Sequence, residues 1–291
     1  MILANLDAFG ALTKGSLGKG PLALIVAEDA VEVNSTVAHI LGLGFRKIVL
    51  VAPDGLAAAK SIEAEMPERI VLVHAQTRQA DATKTAVNHL IDCAPGEWLH
   101  YCYNGEYLFF PFSDSRSITE ATAFAAEERR YSILTYVIDL YATDLSTHPG
   151  AVSLENAHFD RAGYYAETRR SPAGDAMDRQ LNFFGGLRWR FEEHVPEDRR
   201  KIDRIGLFRA EPGLRLRDGH ILSLEELNTL ACPWHNSMTA AICSFRVAKA
   251  LRANPGSRDE IHSFFWHQSQ KFEWSSQQLL DLGLMEPGQW F

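Results

Sequence analysis

Four short apolar runs constrain this chain more than any other feature of its sequence. Leu22 to Ala27, Lys47 to Ala52, Arg69 to His74 and Glu97 to Tyr103 are each about the length of a strand. They lack the strict apolar–polar alternation of a sheet with one wet face. Such runs belong to strands covered on both faces, as in a parallel sheet under helices. The spacers between them fit that reading. Val31 to Leu43, Leu56 to Met66 and Ala80 to Cys93 read as helices, and Gly42, Gly44 and Pro95-Gly96 supply the breaks. Pro53-Asp54-Gly55 ends the second run as a turn signal. The expected architecture is therefore α/β, a Rossmann-like, mostly parallel sheet flanked by helices.

The pattern changes after Phe112. Ile118 to Arg130 reads as a helix and Tyr131 to Tyr141 as a β-rich core segment. Residues 142–185 are polar and read as loop. Gly185 to Phe191 and Arg204 to Arg209 read as strands. Ser237 to Ala253 fits either a strand followed by a helix or one helix. With no clean linker, the expectation is a main domain over 1–210 and a C-terminal extension, 211–291, packed on it at the acceptor side.

Composition excludes several classes. The 291 residues, 46% of them hydrophobic, suffice for a full core. The net charge of -8 argues against nonspecific binding to nucleic acid or to an anionic membrane. No apolar stretch approaches the roughly 20 residues a spanning helix needs. The segment Met1 to Leu22 has no basic start followed by an apolar block, so a cytoplasmic protein is expected. The four cysteines form no C-x-x-C pair, and Cys102 and Cys243 lie in apolar runs as expected of buried thiols.

In an open parallel sheet, ligands bind beyond the carboxyl ends of the strands. The loops there read Ala27-Glu28-Asp29, Pro53-Asp54-Gly55 and Tyr103-Asn104-Gly105-Glu106. None contains G-x-G-x-x-G or G-x-x-x-x-G-K-[ST], which argues against an ordinary dinucleotide site and a P-loop. A G-x-S-x-G elbow is also missing, and with it support for nucleophilic hydrolysis.

The order of parts resembles family 2 glycosyltransferases, in the bacterial branch whose first strand ends in Lys-Asn-Glu. Leu24-Ile25-Val26-Ala27-Glu28-Asp29 stands where that motif falls. Leu41-Gly42-Leu43-Gly44-Phe45 is similar to the branch's Leu-Gly-Phe passage. Glu97-Trp98-Leu99 is similar to the Asp-Trp-Leu strand that leads into Asp-x-Asp. Val137 to Tyr141, His158 to Tyr164 and Gly185 to Arg188 resemble further passages, so about two thirds of the chain is covered.

The resemblance implies a GT-A fold and an inverting transfer of sugar from a nucleoside-diphosphate donor to a glycan, lipid-linked or small-molecule acceptor. It implies that Glu28 and Asp54 hold the nucleoside. Asn104, Glu106 and Arg188 would lie near the diphosphate, and His235 near the acceptor or the phosphates. Asp160 would take the acceptor's proton, with Glu193 and Glu155 as further candidates. It also implies Mg or Mn, held by the Asp-x-Asp to offset charge on the leaving diphosphate. Here the sequence departs from the family. Tyr103 and Gly105 stand at the two aspartates and leave Glu106 as the one carboxylate for a metal. In an extended segment Glu106 points away from the face those two share.

Other readings stand beside these. Asn104-Gly105 is a type I′ signal and fits the tip of a β-hairpin. Arg188, Arg190, Arg199, Arg200, Lys201 and Arg204 could cradle a diphosphate without metal or pair with nearby Glu and Asp. Asp160 also fits a helix N-cap or a turn, and His235 a hydrogen-bonded structural histidine. Phe264, Trp266, Trp274 and Trp290 fit a sugar-stacking surface or a small core. With both aspartates replaced, a catalytically degenerate binder of nucleotide or glycan, or a scaffold in surface-polysaccharide synthesis, is the rival function. A nucleotidyltransferase is a third possibility, but Ala27-Glu28-Asp29 is not the basic, Gly-rich loop it needs.

Overall fold

Each apolar run of the first hundred residues forms a strand with nearly every residue buried. The computed structural model describes all residues except Pro233, Trp234 and Phe291. In chain order the first elements are β1 (Ile2–Leu3), α1 (Leu6–Gly10), β2 (Leu22–Val26), α2 (Val33–Gly42), β3 (Lys47–Ala52) and α3 (Ala57–Glu65). Next come β4 (Ile70–His74), α4 (Ala82–Cys93), β5 (Trp98–Tyr103), β6 (Glu106–Phe109) and α5 (Ile118–Glu127). Then follow β7 (Ser132–Asp139), β8 (Tyr141–Ala142), β9 (Ala157–Asp160), β10 (Tyr165–Arg170), β11 (Ala176–Phe184) and α6 (Leu187–Arg190). The last are β12 (Asp203–Arg209), β13 (Ala240–Ser244), α7 (Arg246–Ala253), α8 (Pro255–Arg258), β14 (Ser269–Lys271) and α9 (Ser276–Asp281).

The chain divides into two compact units. One comprises Met1–Tyr107, Ser115–Ile133 and Ile205–Asn228; the other comprises Leu108–Asp114, Leu134–Arg204 and Thr229–Phe291. Residues from both 1–210 and 211–291 contribute to each unit.

The first unit is a Rossmann-like α/β sheet. Its strands run β1-β4-β3-β2-β5 in parallel, and β12 pairs antiparallel with β5. From β2 the chain steps outward through α2 to β3 and through α3 to β4. It then returns through α4 to β5, on the other side of β2. Right-handed crossovers put α2 and α3 on one face and α4 on the other. α1 packs on α4, and α2 on α3, as that handedness requires. The direction of travel reverses between β2 and β5, so the crevice at their carboxyl ends is the topological switch point.

The second unit pairs β7 and β13 in parallel, Thr135 opposite Ala240 through Asp139 opposite Ser244. A small antiparallel sheet runs β14-β9-β8, and β10 and β11 form an antiparallel ribbon. That ribbon corrects the loop reading of 142–185. Most of β10 is solvent-exposed, so it carries no apolar run to betray it. Gly185 to Phe191 is a short helix instead of a strand. Gly185 and Gly186 have φ of 150° and 64°, which breaks extension before α6. Residues 237–253 resolve as strand, then helix.

The hairpin reading of Asn104-Gly105 also fails. β5 lies between β2 and β12 and does not pair with β6. Gly105 alone takes a positive φ, 74°, whereas a type I′ turn needs two such residues. No helix among the described residues is long and apolar enough to cross a membrane.

Candidate functional site

Asn104 ties together the two loops at the switch point. Val26 and Tyr103 are register partners at the ends of β2 and β5, so the following residues face each other by construction. The Asn104 backbone N–H donates to Val26 O at 3.2 Å. Its side-chain oxygen accepts from the Glu28 N–H at 2.8 Å, and its amide nitrogen donates to Asp29 Oδ1 and Val31 O at 2.7 Å each. A fully buried amide with both ends engaged fixes the course of residues 28–31.

The flanking residues brace the same loops. Thr36 in α2 accepts from the Gly105 N–H at 2.8 Å, and Ser35 shares a 2.8 Å hydrogen bond with the Tyr107 hydroxyl. Burial raises the Tyr107 phenol above its ordinary value of 10.0, so it stays protonated and available to hydrogen-bond. The Thr77 hydroxyl donates to Ala27 O at 2.9 Å and holds the loop after β4 against the one after β2.

Glu106 is also fully buried, and its Oε2 accepts from the Tyr103 N–H at 2.9 Å. The carboxylate implied as a metal ligand thus serves its own turn, and Tyr103 and Gly105 supply no carboxylate beside it. These residues do not fit a Mg or Mn site built on this loop. No group of three or more His, Cys, Asp or Glu side chains positioned for a metal occurs among the described residues.

The loops beyond β2 and β3 carry acidic side chains. Asp54, beyond β3, is 80% exposed and pairs with Lys60 at 3.0 Å and His74 at 3.5 Å. Its hydrogen bond with Lys60, and the charges of Lys60 and His74, hold its carboxyl below the ordinary 3.8. Glu28 and Asp29 are partly exposed. Glu32 takes φ of 56° before α2 and accepts from Ser35 Oγ at 2.5 Å. Its carboxylate therefore lies at the positive end of α2, where a phosphate would otherwise be favoured. Carboxylates at a switch point accept from ribose hydroxyls and base amino groups, and a phosphate meets repulsion there.

The remaining expected site residues gather in the second unit, around two buried carboxylates. Asp160 is the last residue of β9, neither an N-cap nor a turn, and is 1% exposed. It accepts from Arg190 Nε at 2.8 Å and Nη2 at 3.2 Å, from the Tyr141 hydroxyl at 2.5 Å, and from Trp266 Nε1 at 2.7 Å. The Arg190 guanidinium carbon sits 4.8 Å from the centre of the Trp266 ring. A carboxylate so enclosed has no free lone pair facing solvent and serves as an internal strut in this geometry.

Arg188 turns inward as well. It donates to Asp139 Oδ1 at 3.3 Å and to Lys201 O at 2.7 Å. Burial raises the Asp139 carboxyl above its ordinary 3.8, against the opposing pull of Arg188. Its Oδ2 has no hydrogen-bond partner and lies 3.0 Å from where a Cβ on Gly186 would sit, and the Gly186 φ of 64° independently favours glycine there. Arg200 donates to Val195 O and Glu192 O and closes a local turn. Arg188, Arg190 and Arg200 therefore form no outward phosphate fork.

Glu193 has a 62% exposed side chain, 3.7 Å from His194, and Glu155 is exposed on a loop. His235 Nδ1 lies 3.0 Å from Asn236 O; its neighbours Pro233 and Trp234 lie outside the described residues. Phe264 is in a buried cluster with Tyr141, Leu187 and Ala248, and Trp274 Nε1 donates to Leu154 O at 3.0 Å. Arg190 and Trp266 are what the sequence reading assigned elsewhere. Their separation from Asp160 by 30 and 106 residues leaves no local signal of the contact.

No family model matches the chain, and neither does any curated protein. Solved structures it resembles include a crystal structure of 4-diphosphocytidyl-2C-methyl-D-erythritol synthase, with 17% identity and a TM-score of 0.31. The match covers 43% of this chain and 63% of that one, so the chain spans less than two thirds of that protein's length. Likeness at this level carries nothing about activity.

Proposed function

We propose that the chain binds the nucleoside part of a nucleoside-diphosphate sugar in the β2/β5 crevice and acts as a glycosyltransferase of the GT-A kind. The observation that carries this reading is the topological switch point between β2 and β5, where Asn104 braces the two loops and leaves Glu28 and Asp29 partly exposed, with Asp54 exposed beyond β3. These carboxylates suit ribose and base, and the resemblance to family 2 glycosyltransferases supplies the sugar. The acceptor is a glycan, a lipid-linked sugar or a small molecule.

A second reading is that the chain binds the nucleotide and does not transfer sugar. Two observations favour it: Glu106 is committed to Tyr103 N–H, and Asp160 is committed to Arg190, Tyr141 and Trp266. A thermal-shift series with UDP-, GDP- and dTDP-sugars, with and without Mn, separates the two. Stabilisation by one donor together with release of free nucleotide supports transfer. Stabilisation without release supports the binder, and no shift with any nucleotide removes both.

A further inference from the structure

The first unit carries a second polar feature at the opposite end of its sheet. A groove at the amino ends of β2 and β3 is formed by residues 15–21, Gly44, Arg46, Lys47, Glu68, Arg69 and Thr119. Four of its lining side chains are cationic, Lys19, Arg46, Lys47 and Arg69, and Glu68 is the one acid. That is a local excess of about three positive charges on a chain whose net charge is -8.

The groove is built as well as charged. The Gly15–Gly20 loop is pinned at both ends, by Gly15 N–H to Cys93 O and by Gly20 N–H to Glu97 Oε2, each at 2.7 Å. Gly18 and Gly20 take φ of 85° and 113°, and the Arg46 side chain lies along them. A Cβ at Gly20 would meet Arg46 Cδ at 3.4 Å. Glycine thus lets the loop run flat beneath the guanidinium. Arg69 donates to Arg46 O at 2.7 Å and to Phe45 O at 2.9 Å, which fixes its guanidinium with further N–H groups to spare. Lys19, Arg46 and Lys47 make no side-chain ion pair with any described residue. Four cations, one of them fixed by its own hydrogen bonds, converging on a glycine loop are the chemistry of an oligophosphate site.

We infer that this groove is a binding site for a diphosphate-class anion, distinct from the nucleotide crevice. A single phosphate carries about 1.5 to 2 negative charges at neutral pH, too few to match the lining, whereas a diphosphate does match it. β2 separates the two sites by its full length, roughly 17 Å at 3.3 Å per residue, so one small ligand does not occupy both.

The test is calorimetric titration of the full chain with inorganic pyrophosphate, at constant ionic strength. Wild type should bind saturably, with orthophosphate about tenfold weaker. The double variant Lys19→Glu/Arg46→Glu should bind pyrophosphate at least about tenfold more weakly. Both substitutions are at exposed positions, and circular dichroism checks that the variant is folded. Glu68→Gln, which removes the one acid, should bind more tightly. Three results would overturn the inference: no saturable binding by wild type, equal affinity for orthophosphate, or wild-type affinity in the double variant. The double variant should keep its thermal response to nucleotide, so the groove and the crevice readings fail independently.

Discussion

Two groups of carboxylates, one in each unit, sit in opposite environments. Beyond β2 and β3, Glu28, Asp29 and Asp54 stay partly or largely in water, while a neutral side chain, Asn104, braces the β2 and β5 loops. In the second unit, Asp139 and Asp160 are withdrawn from water and braced by Arg188 and Arg190. Burying a charge costs several kcal/mol unless partners surround it. A carboxylate that has acquired such partners is held by them and is poorly placed to serve a substrate. Solvated carboxylates lose less on meeting a ligand. This contrast is why the proposed function gives recognition to Glu28 and Asp54 and treats Asp160 and Arg188 as structural.

The sharpest way to break it is Asp160→Ala. The Arg190 guanidinium would remain buried without its anion, and we expect a loss of about 3–5 kcal/mol in urea unfolding. A loss under about 1 kcal/mol would mean that Asp160 is free for other work. Arg188→Ala should come next, with a cost that depends on pH. The Asp139 carboxyl already lies above its ordinary 3.8 when folded, so the folded state favours the neutral acid. Its contribution to stability therefore falls as pH rises from about the unfolded value through the folded one. Without Arg188 that fall should be larger, so the variant should lose more at pH 8 than at pH 5. An equal loss at both would contradict the pairing.

Asn104→Ala should cost about 1–3 kcal/mol by stranding the Glu28 N–H, and should also weaken nucleotide binding. Asp54→Ala should have the smallest effect on stability, because the side chain is exposed. If Asp54 holds ribose, its loss should weaken nucleotide affinity by about tenfold, read by titration. Unchanged affinity would limit recognition to Glu28 and Asp29.

How much of this was visible in the sequence follows from the same contrast. β2 to β5 were legible because strands buried on both faces must be continuously apolar. The loops at their carboxyl ends followed from topology. Asn104-Gly105 was recognisable as a turn, but local turn chemistry does not say which strand the next one pairs with, so the hairpin reading went astray. β10 and β11 were invisible because β10 is exposed and polar and β11 carries no continuous apolar run, so the pair resembles loop. The pairs Asp160–Arg190 and Asp139–Arg188 span 30 and 49 residues. Read singly, each member looked like a surface charge or a catalytic group, and their burial together is a product of tertiary packing.

Amide hydrogen exchange with and without the nucleoside-diphosphate sugar that gives the largest thermal shift tests the central assignment most directly. The account predicts new protection at residues 27–31 and 103–106, around the Asn104 clamp, and none at 158–164, 187–190 or 264–268. Protection at Asp160 and its arginine instead, with the crevice unchanged, would contradict it.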